Sequence, residues 1–200
     1  MRRQRNFIGP QGMGGMVSLW GASSLIKSVQ TAAPLIGTGA TSGTATISEV
    51  KTENTILIYG GNRTLGNAGS LIQAALPNVT LTNATTVTAS KYASSAITYN
   101  NVVAVTVVEF QPGVVKSIQY VQWLFVGITS GDTQAITSVN TTKSLVMFLG
   151  NHNTAGTWSP NFCQPTVVLN SSTQLGISCG QDPYGSGYDN YPRVCVMEFY

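Results

Sequence analysis

The sequence predicts an all-β fold: two tandem antiparallel domains, each a β-sandwich or small barrel, preceded by an extended N-terminal arm. Three observations carry this expectation. Charged residues make up 8% of the chain against 42% hydrophobic, and the remainder is largely Thr, Ser, Asn and Gly, a composition suited to strands and turns. The stretch "SLIKSVQ" from Ser24 returns as "VVKSIQ" from Val114, with an unchanged Lys-Ser-x-Gln core. Strand-length runs separated by Gly, Asn, Ser or Pro clusters recur through both halves.

Residues 1–23 precede the repeat. They follow neither the helical nor the strand period, are rich in Gly, and carry large apolar side chains that make them unlike an idle tail. The segment is expected to be an assembly arm that orders against a neighbouring subunit, with Phe7, Ile8, Met13, Met16, Leu19 and Trp20 as its anchors.

The first domain, 24–111, contains "IKSVQTAAPLI", "GTATISEV", "NTILIYG", "NVTLTNATTVTAS" and "NVVAVTVVEF". In "GTATISEV", Ala45, Ile47 and Glu49 point one way, and Thr44, Thr46, Ser48 and Val50 the other, a half-buried pattern. "NTILIYGG" is continuously apolar, as a central strand covered on both faces would be. The second domain, 112–200, repeats the series. Ile26 aligns with Val115, an offset of 89 (115 − 26) that also places "NTILIYGG" on "KSLVMFLG" and "VVEF" on "VMEF". "QPGV" at Gln111–Val114 joins the two, a linker short enough to hold them at a fixed angle.

The net charge of +3 comes from the arm, where Arg2, Arg3 and Arg5 lie; the other seven Lys and Arg balance seven Asp and Glu. A neutral body lacks the basic face that duplex nucleic acid requires, so no nucleic-acid partner is expected. The longest apolar runs are strand-sized, so no membrane-spanning helix is expected. Glycines and Pro10 break the apolar stretch after the N-terminal arginines, which argues against a Sec signal.

No constellation for chemistry emerges. His152 stands 11 residues before Cys163, and Cys163, Cys179 and Cys195 are spaced at 16 and 16, without the C-x2-C pair of a zinc site. No nucleophile-elbow pattern surrounds any serine, and nothing pairs the loop carboxylates Asp132, Asp182 and Asp189. The expectation is a non-enzymatic protein with no metal and no cofactor. The loop "CGQDPYGSGYDNYPR", with Trp158 nearby, offers Tyr184, Tyr188 and Tyr191 as a ligand-contact surface for a glycan or receptor. An ordinary packed loop is the other reading, because Tyr188 aligns with Tyr99.

Four charged residues recur in a chain short of charge. Lys27 and Lys116 share a place in the first strand of each domain, and Glu109 and Glu198 share one in the last. First and last strands are therefore expected to be neighbours, pairing Lys27 with Glu109 and Lys116 with Glu198. If exposed, such pairs contribute about 0 to 1 kcal/mol each.

The order "IKSVQ", "GATSGTATISEVKTENTILIYGG", "LTNATTVTAS" and "VVAVTVVEF" resembles a family of small β-rich structural proteins of tailed bacteriophages and prophages. The first domain matches the family pattern across roughly 85 residues, while the second matches at its ends and departs at "LNSSTQLGIS" and the tyrosine-rich loop. The resemblance implies a virion component, a tail, fibre or capsid-decoration protein assembled in the bacterial cytoplasm. Its implied partners are other virion proteins and copies of itself, as a homotrimer or ring.

Overall fold

The computed structural model describes residues 24–65, 77–91, 100–126, 132–153, 166–178 and 189–200, with residues 125, 126, 152, 153, 189 and 190 described by backbone only. The first half contains β1 (Ile26–Ala32), β2 (Leu35–Ile36), β3 (Ser42–Thr46), β4 (Thr55–Leu65), β5 (Asn78–Asn83), β6 (Thr86–Ser90) and β7 (Asn100–Phe110). The second contains β8 (Val115–Gln122), β9 (Phe125–Val126), β10 (Asp132–Ala135), β11 (Ser144–Asn153), β12 (Thr166–Ser171), β13 (Gln174–Ser178) and β14 (Asp189–Phe199). The described residues hold no α-helix, and every strand pair is antiparallel.

Each half is a two-sheet sandwich. In the first, β7 is the central strand, with β1 and β2 along one edge and β4 along the other, and β3-β6-β5 forms the facing sheet. In the second, β14 lies between β8 and β11 with β9 alongside β8, and β10-β13-β12 faces it. Among the described strands no sheet closes into a barrel. The expected long run "NVTLTNATTVTAS" is a hairpin, because Asn83 accepts from the backbone N–H of Thr85 at 2.9 Å and turns the chain between β5 and β6.

Alternation fills the core. Val103, Val105 and Val107 of β7 point inward with Ile36 and Leu57 to meet Val79, Val87 and Ala89 of the facing sheet. In the second half Val194 and Val196 meet Leu175, Ile177, Trp123 and Val139. β14 is also covered on its other face: Cys195 and Met197 are buried, and with Leu149 they join the core of the first half. The halves are further linked through the backbone, because β5 pairs with β11 at Asn78 and Gly150 and makes one seven-stranded sheet, β3-β6-β5-β11-β14-β8 with β9 also paired to β14, that runs from one half into the other.

Two strand expectations change. Among the described strands β4 is an edge strand, paired with β7 alone, and Ile58 on its outer face is exposed; its counterpart β11 is the strand with neighbours on both edges. In "GTATISEV", Ala45 and Ile47 face inward, but the strand stops at Thr46, so Glu49 turns out to solvent and Val50 turns in ahead of the 3-10 turn Thr52–Asn54.

Candidate functional site: carboxylate anchors and the junction between the halves

The Lys-Ser-x-Gln core makes a structural anchor. A bulge in β1 between Ile26 and Ser28 turns consecutive residues toward one acceptor, Glu109 of β7. Lys27 Nζ donates to the Glu109 carboxylate at 2.8 Å, Ser28 Oγ at 3.2 Å, and the backbone N–H of Lys51 at 3.0 Å. Gln30 then clasps Ser48, its Nε2 donating to the carbonyl at 3.1 Å and its Oε1 accepting from the N–H at 2.7 Å. First strand, last strand and the approach to the 3-10 turn are thereby tied to one carboxylate.

The second half repeats this bond for bond. Glu198 accepts from Lys116 Nζ at 2.8 Å, Ser117 Oγ at 3.4 Å and the N–H of Asn140 at 3.0 Å, and Gln119 clasps Thr137 at 2.9 and 2.8 Å. The structure thus brings together Lys27 with Glu109 and Lys116 with Glu198. Both lysines are well exposed, but both carboxylates are buried, so these are not surface pairs.

Burial raises the Glu109 pKa, and the bonds from Lys27, Lys51 and Ser28 outweigh it, leaving the carboxyl below its ordinary value. Glu198 is also held down, first by Lys116 and then by the N–H of Asn140. Each is an ionised acceptor with its lone pairs engaged, an arrangement that braces the sandwich and is poorly suited to moving protons.

The junction is built on the outer face of β8, β14 and β11. Tyr120 donates its hydroxyl to the Thr55 carbonyl at 2.9 Å. Arg193 donates to Thr80 Oγ1 across the junction and to Gln122 Oε1 on its own side, its Nε at 3.1 Å. Gly150, in the bulge of β11, has φ 104°, and a Cβ there would stand 2.3 Å from the Pro77 carbonyl oxygen. Only glycine permits that approach. Burial lowers the Arg193 pKa and pushes the Cys195 thiol up to about 12, where it is a packing group and a poor nucleophile.

Two clefts flank this region. One, of about 550 Å³, lies on the first half beside Gly60, Gly61, Asn62, Arg63 and Ala104. The other, of about 540 Å³, lies at the junction between Thr52, Glu53 and Thr82 on one side and Lys116 and Tyr120 on the other. Among the described residues no three His, Cys, Asp or Glu gather as metal ligands.

The arm residues Phe7, Ile8, Met13, Met16, Leu19 and Trp20 lie outside the described residues, as do Trp158, Tyr184, Tyr188, Cys163 and Cys179. Tyr191 is described: it is half-buried in β14, opposite His152 in β11. The sequence reading did not single out Tyr120, Arg193, Thr80 or Gly150. Their signal is a difference between the repeats, since Leu149 replaces Gly60 and Arg193 replaces Ala104 on the face that becomes covered. No family model, curated protein or solved structure matches the chain.

Proposed function

We propose that the chain is a non-enzymatic structural component of a bacteriophage virion, of the tail, fibre or capsid-decoration type, docking through residues 1–23 and presenting its two β-sandwiches outward. The observation that carries this reading is the junction: one copy of a braced sandwich docks onto the next through a shared sheet and a buried apolar face, which is how repeated modules build rigid assemblies. The resemblance of the strand motifs to phage structural proteins, and hydrogen bonds that recur at a fixed offset as tandem duplication would leave them, support the same reading. A receptor-binding reading has less behind it, because Tyr191, the one described member of its aromatic set, is half-buried within a strand.

The test is mass spectrometry of purified particles from the strain that encodes the chain, with and without residues 1–20. The proposal expects the full chain in stoichiometric amounts and its loss from particles on truncation. Absence of the full chain from particles would defeat it.

A further inference from the structure

The junction between the halves uses two different surfaces, and each half carries both. The first half contributes a donor surface made of β5, the start of β4 and the 3-10 turn Thr52–Asn54; the second contributes the outer face of β8, β14 and β11 as acceptor. Several side chains that the junction covers in one half stand uncovered at the matching positions of the other, although Val108, the counterpart of the covered Met197, is itself buried. On the acceptor side, Ile118 and Met147 lie against the first core, whereas their counterparts Val29 and Ile58 are 58% and 46% exposed. On the donor side, where β12 matches β5 at an offset of 88 (168 − 80) because the preceding loop is one residue shorter, Ile56 is buried and Thr80 receives Arg193, whereas their counterparts Leu145 and Val168 are 46% and 49% exposed.

We infer that the chain self-associates head to tail, the donor surface of one molecule's second half seating on the acceptor face of another molecule's first half and repeating the internal junction between molecules. The contacting chemistry changes in concert. Inside the chain the crossing pair is polar, Arg193 to Thr80; at the matching positions it becomes Ala104 and Val168, a small residue opposite an apolar one, both exposed. Gly61 matches Gly150 in its bulge and in its left-handed backbone, at φ 99°, yet a Cβ there would meet nothing within 4 Å. Ala104, Gly60 and Gly61 line the cleft of about 550 Å³, at the place where Leu149 and Arg193 fill the second half. A second copy of this chain is the occupant favoured by continuity with the internal interface. Because donor and acceptor differ, the contact does not satisfy itself in a two-fold dimer, and it propagates into a ring or a filament. The inference concerns the purified chain and does not depend on the virion reading, so either can fail alone.

Sedimentation velocity of the full chain tests it with two single variants, Val168→Arg, which removes the donor, and Ala104→Arg, which removes the acceptor. Wild type is expected to sediment as an oligomer and each variant as a monomer. An equimolar mixture of the two variants is expected to form a dimer and nothing larger, since each retains the surface the other lacks. Formation of that dimer also shows that both variants fold. A monomeric wild type, variants that assemble like wild type, or variants that stay monomeric when mixed would overturn the inference. A wild type that associates only after removal of residues 1–23 would assign the face to the arm and overturn it equally.

Discussion

Gly61 and Gly150 occupy the same place in matching β-bulges, with φ of 99° and 104°, but a Cβ on Gly150 would strike the backbone of Pro77 and Asn78 while one on Gly61 would meet open space. Both positions demand a left-handed backbone, and only one is pressed by a neighbour. In the monomer, Gly61→Ala is therefore expected to cost about 1–2 kcal/mol for its backbone alone. Gly150→Ala is expected to cost more, by forcing β11 away from β5. Urea unfolding of the two variants checks the order, and equal losses would contradict a tight junction at Gly150.

The buried carboxylates predict a pH dependence. Glu109 and Glu198 have pKa values below the ordinary 4.5, so the unfolded chain binds more protons than the folded one in that region. Their contribution is present above the unfolded value and is lost as pH falls through the folded values. The urea midpoint is expected to hold near neutrality and to drop below about pH 4.5. Replacing both by Gln should lower stability at pH 7 and flatten the acid limb. An acid limb unchanged in the double variant would remove these groups from the account.

Within each anchor the two partners are unequal. Glu109 is buried with three donors aimed at it, whereas Lys27 reaches in from solvent. Lys27→Ala leaves the carboxylate two other donors, while Glu109→Ala strands the N–H of Lys51 and the hydroxyl of Ser28. Thermal unfolding should rank Glu109→Ala as the more damaging, and the reverse order would count against the anchor.

Leu149 belongs to the second half of the sequence but is buried in the core of the first. Leu149→Ala is expected to cost about 2–5 kcal/mol, as truncation at a buried site does. Leu145→Ala, four residues earlier and exposed, should stay within about 0.5 kcal/mol in the monomer. Comparable losses at the two sites, measured by urea unfolding, would refute the burial of β11 against the first half.

The Cys195 thiol, raised from 9.0 to about 12, should resist alkylation. In a Cys163→Ser, Cys179→Ser background at pH 8, the folded chain should label with iodoacetamide far more slowly than the unfolded chain, because the thiol is buried and holds its proton. Rapid labelling of the folded protein would show the β14 face to be open.

The strands and anchors were legible because they depend on short-range pattern and on repetition. Alternation placed Ala45 and Ile47 on one side of their strand, which the structure turns inward, and the offset of 89 set Lys27 against Glu109 and Lys116 against Glu198 as recurrent charges. Burial of the carboxylates was not legible, because Ser28 and Lys27 reach one acceptor only through a bulge that alternation does not foresee. Nor was the shared sheet. Arg193 meets Thr80 across 113 positions of sequence, and nothing in a linear pattern assigns those two to one another. "NTILIYGG" misled for a related reason: its apolar outer residue Ile58 matches the covered Met147 but stands exposed in the isolated chain.

The central claim, a structural component built from a repeated assembly module, is tested most directly by cryo-electron microscopy of purified particles from the encoding strain. The account predicts density for both sandwiches, joined through β5 and β11, with residues 1–23 ordered against another virion subunit. Particles of complete morphology with no density for this chain would contradict it.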